Sequence, residues 1–153
     1  MIGCSQDEAT PIEVHDLDQA AFQRHIQNSP QPYVLVSCFQ IGCPLFAIEL
    51  PNLVRLQQTN SDEVMVMLVS LDEADVAHRQ LAQHLMRQGI TADVFHFDPQ
   101  EAMPFFADHI TQWDGHLPLN LIYERAGRLV AATNFIDDKE VQLIVHADQS
   151  FPR

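Results

Sequence analysis

Basic residues are scarce in this chain. Eight Lys plus Arg stand against 21 Asp plus Glu, for a formal net charge of −13 across 153 residues. Phosphate backbones and anionic lipid surfaces both need a basic face, so nucleic acid and anionic membrane are excluded as partners. The acidity reads as solubility. No apolar run approaches the roughly 18 residues that span a bilayer, and no hydrophobic signal-peptide core is visible. Cysteine is sparse too: Cys4, Cys38 and Cys43 make a poor disulfide framework. The eight histidines are scattered, and none repeats at His-x-x-x-His or Glu-x-x-His spacing, so no metal and no cofactor is expected.

What remains is an ordinary globular composition, 46% hydrophobic and 19% charged, long enough to bury a core. Residues 1–11 form a polar tail or tether, and 12–153 form one domain. The start, Met1-Ile2-Gly3-Cys4-Ser5, resembles the end of a bacterial lipoprotein signal, in which Cys4 would carry the lipid. A chance cysteine in a polar tail is the plainer alternative, and both stay open.

Alternation and apolar runs predict strands at 12–15, 33–38, 64–69, 91–97, 119–124 and 129–133. Between them lie helices. The first is capped by Asp16 or Asp18 and reaches about residue 27, and the others cover 44–58, 72–88, 98–113 and 139–147. Pro51 interrupts the second, Gly89 closes the third, and Trp113 with Phe105 and Phe106 reads as core at helical spacing. The order β-α-β-α-β-α-β-α-β-β-α gives parallel units followed by an antiparallel hairpin. That is an α/β three-layer sandwich with a mixed sheet.

The second strand, Tyr33-Val34-Leu35-Val36-Ser37-Cys38, is apolar on both faces apart from Ser37, as a covered central strand would be. It leads through Phe39-Gln40-Ile41-Gly42 to Cys43 and to Pro44, a favoured opening residue for a helix. A helix N-terminus supplies free N–H groups and partial positive charge, and both favour thiolate. Cys38 instead belongs on the strand, pointing into the core as a small hydrophobe. Phe39, Ile41 and Phe46 are expected to form an apolar collar around Cys43.

This arrangement resembles the thioredoxin fold, and within it the TlpA/ResA-like branch of extracytoplasmic thiol–disulfide proteins. Phe39-Gln40-Ile41-Gly42-Cys43-Pro44-Leu45-Phe46 stands in the place of Trp-Ala-x-Trp-Cys-x-x-Cys. Ile48-Glu49-Leu50-Pro51-Asn52-Leu53 is similar to Glu-Leu-Pro-x-Leu, and Val69-Ser70-Leu71-Asp72-Glu73 to the family's Val-Ser-x-Asp. The stretch 117–130, from Leu117-Pro118 through Gly127-Arg128-Leu129-Val130, is similar to Leu-Pro-Thr-Thr-x-Leu-Ile-Asp-x-x-Gly-x-Ile-Val. The likeness spans about residues 33–145.

The resemblance implies that Pro118 is cis and abuts Cys43. It implies a substrate surface built from Phe39, Ile41, Gly42, Pro44, Phe46, Leu117 and Pro118, with Cys43 as nucleophile and Leu117, the residue before Pro118, joining the apolar collar. It also sets His116 on the rim, either modulating the thiol or standing as a solvated loop histidine. The departures are Phe46 for the second cysteine, Gly42 for the preceding Trp, and Ser37 where thioredoxins carry a buried Asp. Copper-handling Sco-type proteins use Cys-x-x-x-Cys, yet Ala47 stands there, and Gln40 and Val36 replace the Thr and Pro of peroxiredoxins.

Two functions follow. One is thiol–disulfide exchange through Cys43 with a protein or small-molecule thiol partner and no internal resolving thiol. The other is a redox-inactive binding or chaperone-like module on the same surface. The family's location implies a periplasmic protein, possible as a lipid-anchored one, with a cytoplasmic site as the alternative.

Overall fold

The computed structural model describes residues 12–90 and 94–150; Cys4 and the proposed tether lie outside the described residues. Six strands form one mixed sheet in the order β1-β4-β3-β2-β5-β6. They are β1 (Val14–Leu17), β2 (Tyr33–Phe39), β3 (Val64–Ser70), β4 (Val94–Phe97), β5 (Leu119–Glu124) and β6 (Leu129–Thr133). The pairs β1–β4, β4–β3 and β3–β2 are parallel, whereas β5 runs antiparallel to both β2 and β6. The fold is the mixed α/β sandwich that the element order predicts.

Helices α1 (Gln19–Gln27), α2 (Pro44–Thr59), α5 (Pro99–His109) and α6 (Asp138–Ser150) flank the sheet. A further helical stretch runs through α3 (Ala74–Val76), a π turn (Ala77–Leu81) and α4 (Ala82–Arg87). Side-chain alternation along β2 divides the core into two layers. Val34, Val36 and Cys38 pack with Phe22, Ile26 and Phe106 from α1 and α5. Tyr33, Leu35 and Phe39 pack with Phe46, Leu50, Leu53 and Leu56 of α2, Leu81 and Leu85, and Val141 and Val145 of α6. Every residue of β2 is buried, as a strand covered on both faces requires.

Asp18 is the cap of α1, its Oδ1 accepting from the Ala21 N–H at 2.7 Å. The α2 helix continues past Pro51 to Thr59, although a proline there cannot donate to the Ala47 carbonyl. Several expected boundaries move by a few residues, and the strand expected over 91–97 is described only from Val94. The first strand begins at Val14, because its register is set by pairing Val14–Leu17 with Val94–Phe97 rather than by alternation alone. The α5 helix stops at His109, where the next residue, Ile110, adopts extended backbone. Trp113 therefore lies in the following loop, half-buried against the α1–α5 layer, with Nε1–H donating to the His116 carbonyl at 2.9 Å.

Candidate active site

Strand β2 ends at Phe39, and four residues later Cys43 stands at the N-cap of α2 with extended backbone. The turn between them needs Gly42 at a φ of +87°, a conformation that side chains resist. A Cβ at this position would meet nothing within 4 Å, so the constraint lies in the backbone and not in space. The loop is anchored from the end of β3. The Ile41 N–H donates to both carboxylate oxygens of Asp72, at 3.0 and 3.1 Å. Ser70 Oγ–H donates to Asp72 Oδ2 at 2.6 Å, and Gln40 Nε2 donates to the Leu71 carbonyl at 3.1 Å.

Asp72→Ala removes the loop's charged acceptor and strands a buried Ser70 hydroxyl. The expected loss is about 1–3 kcal/mol, read by urea denaturation, with faster amide exchange at Ile41.

Cys43 is half-buried, and its Sγ lies 3.8 Å from the Leu117 carbonyl oxygen, which belongs to the cis Leu117–Pro118 peptide. The cis proline and the thiol are thus brought together as expected. Asn134 Nδ2 holds this corner by donating to the carbonyls of His116 and Pro118, at 3.0 and 3.1 Å. Cys38 is free and fully buried on the other side of the sheet from α2, where burial pushes its thiol pKa well up.

Two residues expected in the collar take other places. Phe46 is buried rather than part of a collar, stacked on Phe39 with ring centroids 3.9 Å apart and planes 3° from parallel. Phe39 shares the α2-facing side of β2 with Tyr33 and Leu35, so it too is withdrawn from the surface. Pro118 is also buried, leaving Ile41 and Leu117 half-exposed beside Cys43, with Gly42 and Pro44 at the surface. The exposed apolar surface of α2 is instead Leu45 and Ile48, 49% and 62% exposed. His116 projects into solvent and pairs through Nδ1 with Asp114 Oδ2 at 2.8 Å; none of its interactions reaches Cys43.

Glu49 has no role in the sequence reading, yet it is the charged group built into this layer. It is fully buried on the α2 stripe of Phe46, Leu50 and Leu53, about 9 Å along the helix from Cys43. Its Oε2 accepts from the Ile136 N–H at 3.2 Å. Burial raises the carboxyl pKa from 4.5 to about 7. Asn120, the Ile136 N–H and Ser37 pull it down by less, while the Glu140 charge adds to the rise. Ser37 and Asn120 are directly paired across β2 and β5. They face the carboxyl without closing good hydrogen bonds: Ser37 Oγ, Glu49 Oε1 and both side-chain polar atoms of Asn120 lack partners. A glutamate at i+3 and i−1 from core positions of one helix stripe is the signal that would have found it.

A groove of about 960 Å³, lined by Phe22, Phe105, His109 and Tyr123, touches no residue of the Cys43 loop.

No protein-family model and no curated protein matches the sequence. Solved structures do match. A thiol-disulfide isomerase from Corynebacterium glutamicum superposes with a TM-score of 0.64 at 18% identity, over 96% of this chain and 100% of its own. A thioredoxin-related protein from Neisseria meningitidis serogroup B gives 0.63 at 15%, over 82% and 90%. The exposed lipoprotein thioredoxin of Streptococcus pneumoniae gives 0.56 at 13%, over 79% and 89%. At these identities the likeness establishes a thioredoxin fold. That fold, with a half-buried cysteine at the start of α2 facing a cis proline, defines the class to which the site is compared.

Proposed function

We propose that this chain is a monothiol thiol–disulfide protein of the TlpA/ResA-like kind, with Cys43 as its reactive group. The observation that carries the reading is the pairing of Cys43 Sγ with the carbonyl preceding cis Pro118, while the position of a resolving thiol is filled by a buried aromatic ring. In the forward step the Cys43 thiolate attacks one sulfur of a partner's disulfide. A Cys43–partner disulfide forms, the partner's S–S bond breaks, and the other partner sulfur leaves as thiolate. A second thiol from outside, a small-molecule thiol or a dithiol protein, then attacks the adduct and returns Cys43 to the reduced state. Ile41, Gly42, Pro44 and Leu117 line the approach over the buried Pro118, with His116 outside the contact shell of the thiol.

The reading places the protein outside the cytoplasm, tethered through lipidated Cys4; an exposed lipoprotein thioredoxin among the structural neighbours supports that setting. A binding module without redox chemistry is favoured by one observation, the exposure of Leu45 and Ile48 beside the site.

The two readings separate by trapping. With Cys4→Ser in the background, incubation with oxidised glutathione or a disulfide-bonded peptide is expected to leave one stable adduct on Cys43. Intact mass and peptide mapping would show it, and Cys43→Ser would abolish it. An unmodified Cys43 after prolonged incubation overturns the monothiol reading and leaves the binding module.

A further inference from the structure

We propose that Asp16, His78 and His96 form a zinc site, separate from Cys43. Asp16 lies on β1, His78 in the π turn and His96 on β4, so three elements converge at one edge of the sheet. One ligand atom from each residue lies within 4.8 Å of the other two, the one such group of three among the described residues. His78 Nε2 and His96 Nδ1 stand 2.8 and 3.0 Å from the same Asp16 Oδ1.

The hydrogen bonding of His96 points to a cation. Its ring is buried, and its Nε2 faces the Asp72 backbone carbonyl at 2.8 Å while its Nδ1 faces the Asp16 carboxylate. Both neighbours are acceptors and a neutral imidazole has a single N–H, so the contact between Nδ1 and the carboxylate needs positive charge, either a second ring proton or a metal ion. With Nε2–H given to the carbonyl, the Nδ1 lone pair is aimed at a carboxylate oxygen. Bringing a metal ion between them turns that opposition into coordination. A histidine ligand that donates its other N–H to a backbone carbonyl is the usual support of a metal site, because the carbonyl fixes tautomer and ring orientation.

Zinc–nitrogen and zinc–oxygen bonds of about 2.0–2.2 Å need ligand atoms somewhat farther apart than 2.8 Å, and the two outer groups can supply that adjustment. His78 and Asp16 have side chains 48% and 62% exposed, so they can rotate by a few tenths of an ångström and leave an entry path. The π turn contributes as well. One extra residue in a helical turn resets the direction of its side chains, and such turns recur at functional sites. Two imidazoles and one carboxylate suit zinc, and three protein ligands leave a fourth position for water or an added ligand.

The test is calorimetric titration of zinc chloride into the full chain after chelator treatment and dialysis, with Cys4→Ser and Cys43→Ser removing thiol ligands. One zinc per chain with micromolar or tighter affinity is expected. Asp16→Asn and His78→Ala, both at the surface and each to be checked for native folding by circular dichroism, should each weaken it at least about tenfold. The control His146→Ala should bind as the parent does. Cobalt substitution should give the intense visible bands of a four-coordinate ion, lost in the same two variants. Absence of saturable binding, or binding that Asp16→Asn and His78→Ala leave unchanged, overturns the proposal.

Discussion

Phe46→Ala is expected to cost about 3–5 kcal/mol of unfolding free energy, the largest single loss foreseen for this chain. The ring is 2% exposed, lies flat on Phe39, and belongs to the layer that joins α2 to β2. Its removal takes away both the transfer energy of a large aromatic and the contacts across the stack, leaving a cavity that β2 and α2 cannot close without moving. Urea unfolding should show a lower midpoint with an unchanged slope. The same reasoning bears on Phe46→Cys, which would rebuild a Cys-x-x-Cys sequence. The new sulfur would stand in a core void, so the variant is expected to lose most of that stability rather than become a dithiol reductase. A Phe46→Ala loss below about 1 kcal/mol would mean that the ring is not packed as described.

The second large effect concerns Glu49 and pH. A carboxyl whose pKa rises from 4.5 in the unfolded chain to about 7 in the native one binds its proton more tightly when folded. Between those values the native state is protonated and the unfolded state is not, so stability falls as pH rises through the window and the whole penalty is present above it. The gap amounts to roughly 3 kcal/mol. Glu49→Gln keeps the acceptor for the Ile136 N–H and stays neutral, so it should be more stable than the parent by up to that amount at pH 8 and nearly equal at pH 4. His25, whose pKa is lowered chiefly by burial, contributes the opposite slope below the ordinary histidine value of 6.5 in both proteins, so the difference between their curves isolates Glu49. Parallel curves for the two proteins would show that the glutamate carries no buried charge.

The succession of strands and helices was legible because each element carries its own period and its own stops. Asp18, Asp98 and Gly89 mark helix ends locally, and the all-apolar β2 announces a covered strand. The cysteine, its helix start and the cis proline were legible through the resemblance, and each lies where that implied. The aromatic collar was misplaced, although strand alternation alone sets Phe39 beside Tyr33 and Leu35. Phe46 follows the same logic, since it opens the stripe Phe46-Glu49-Leu50-Leu53 of α2. Glu49 is a carboxyl on that apolar stripe, and the groups that face it, Ser37, Asn120 and the Ile136 N–H, come from distant parts of the chain, so its setting has no local signature. The Asp16–His78–His96 group could not be read from spacing at all. His78 and His96 are 62 and 80 residues from Asp16; parallel pairing of β1 with β4 sets His96 beside Asp16, and the π turn packed over that edge brings in His78.

The position of β1 has a kinetic consequence. This four-residue edge strand is paired with β4 alone, and Val14 meets Val94 only after some 80 residues of chain have been gathered in. The entropy of closing that loop must be met before any of its pairings forms, so β1 docks late and detaches early. Its opening is a partial unfolding that leaves the β2–β3–β5 centre intact. Each such excursion carries Leu17 out of the core and Asp16 away from both histidines, which makes the sheet's first strand also its loosest seam.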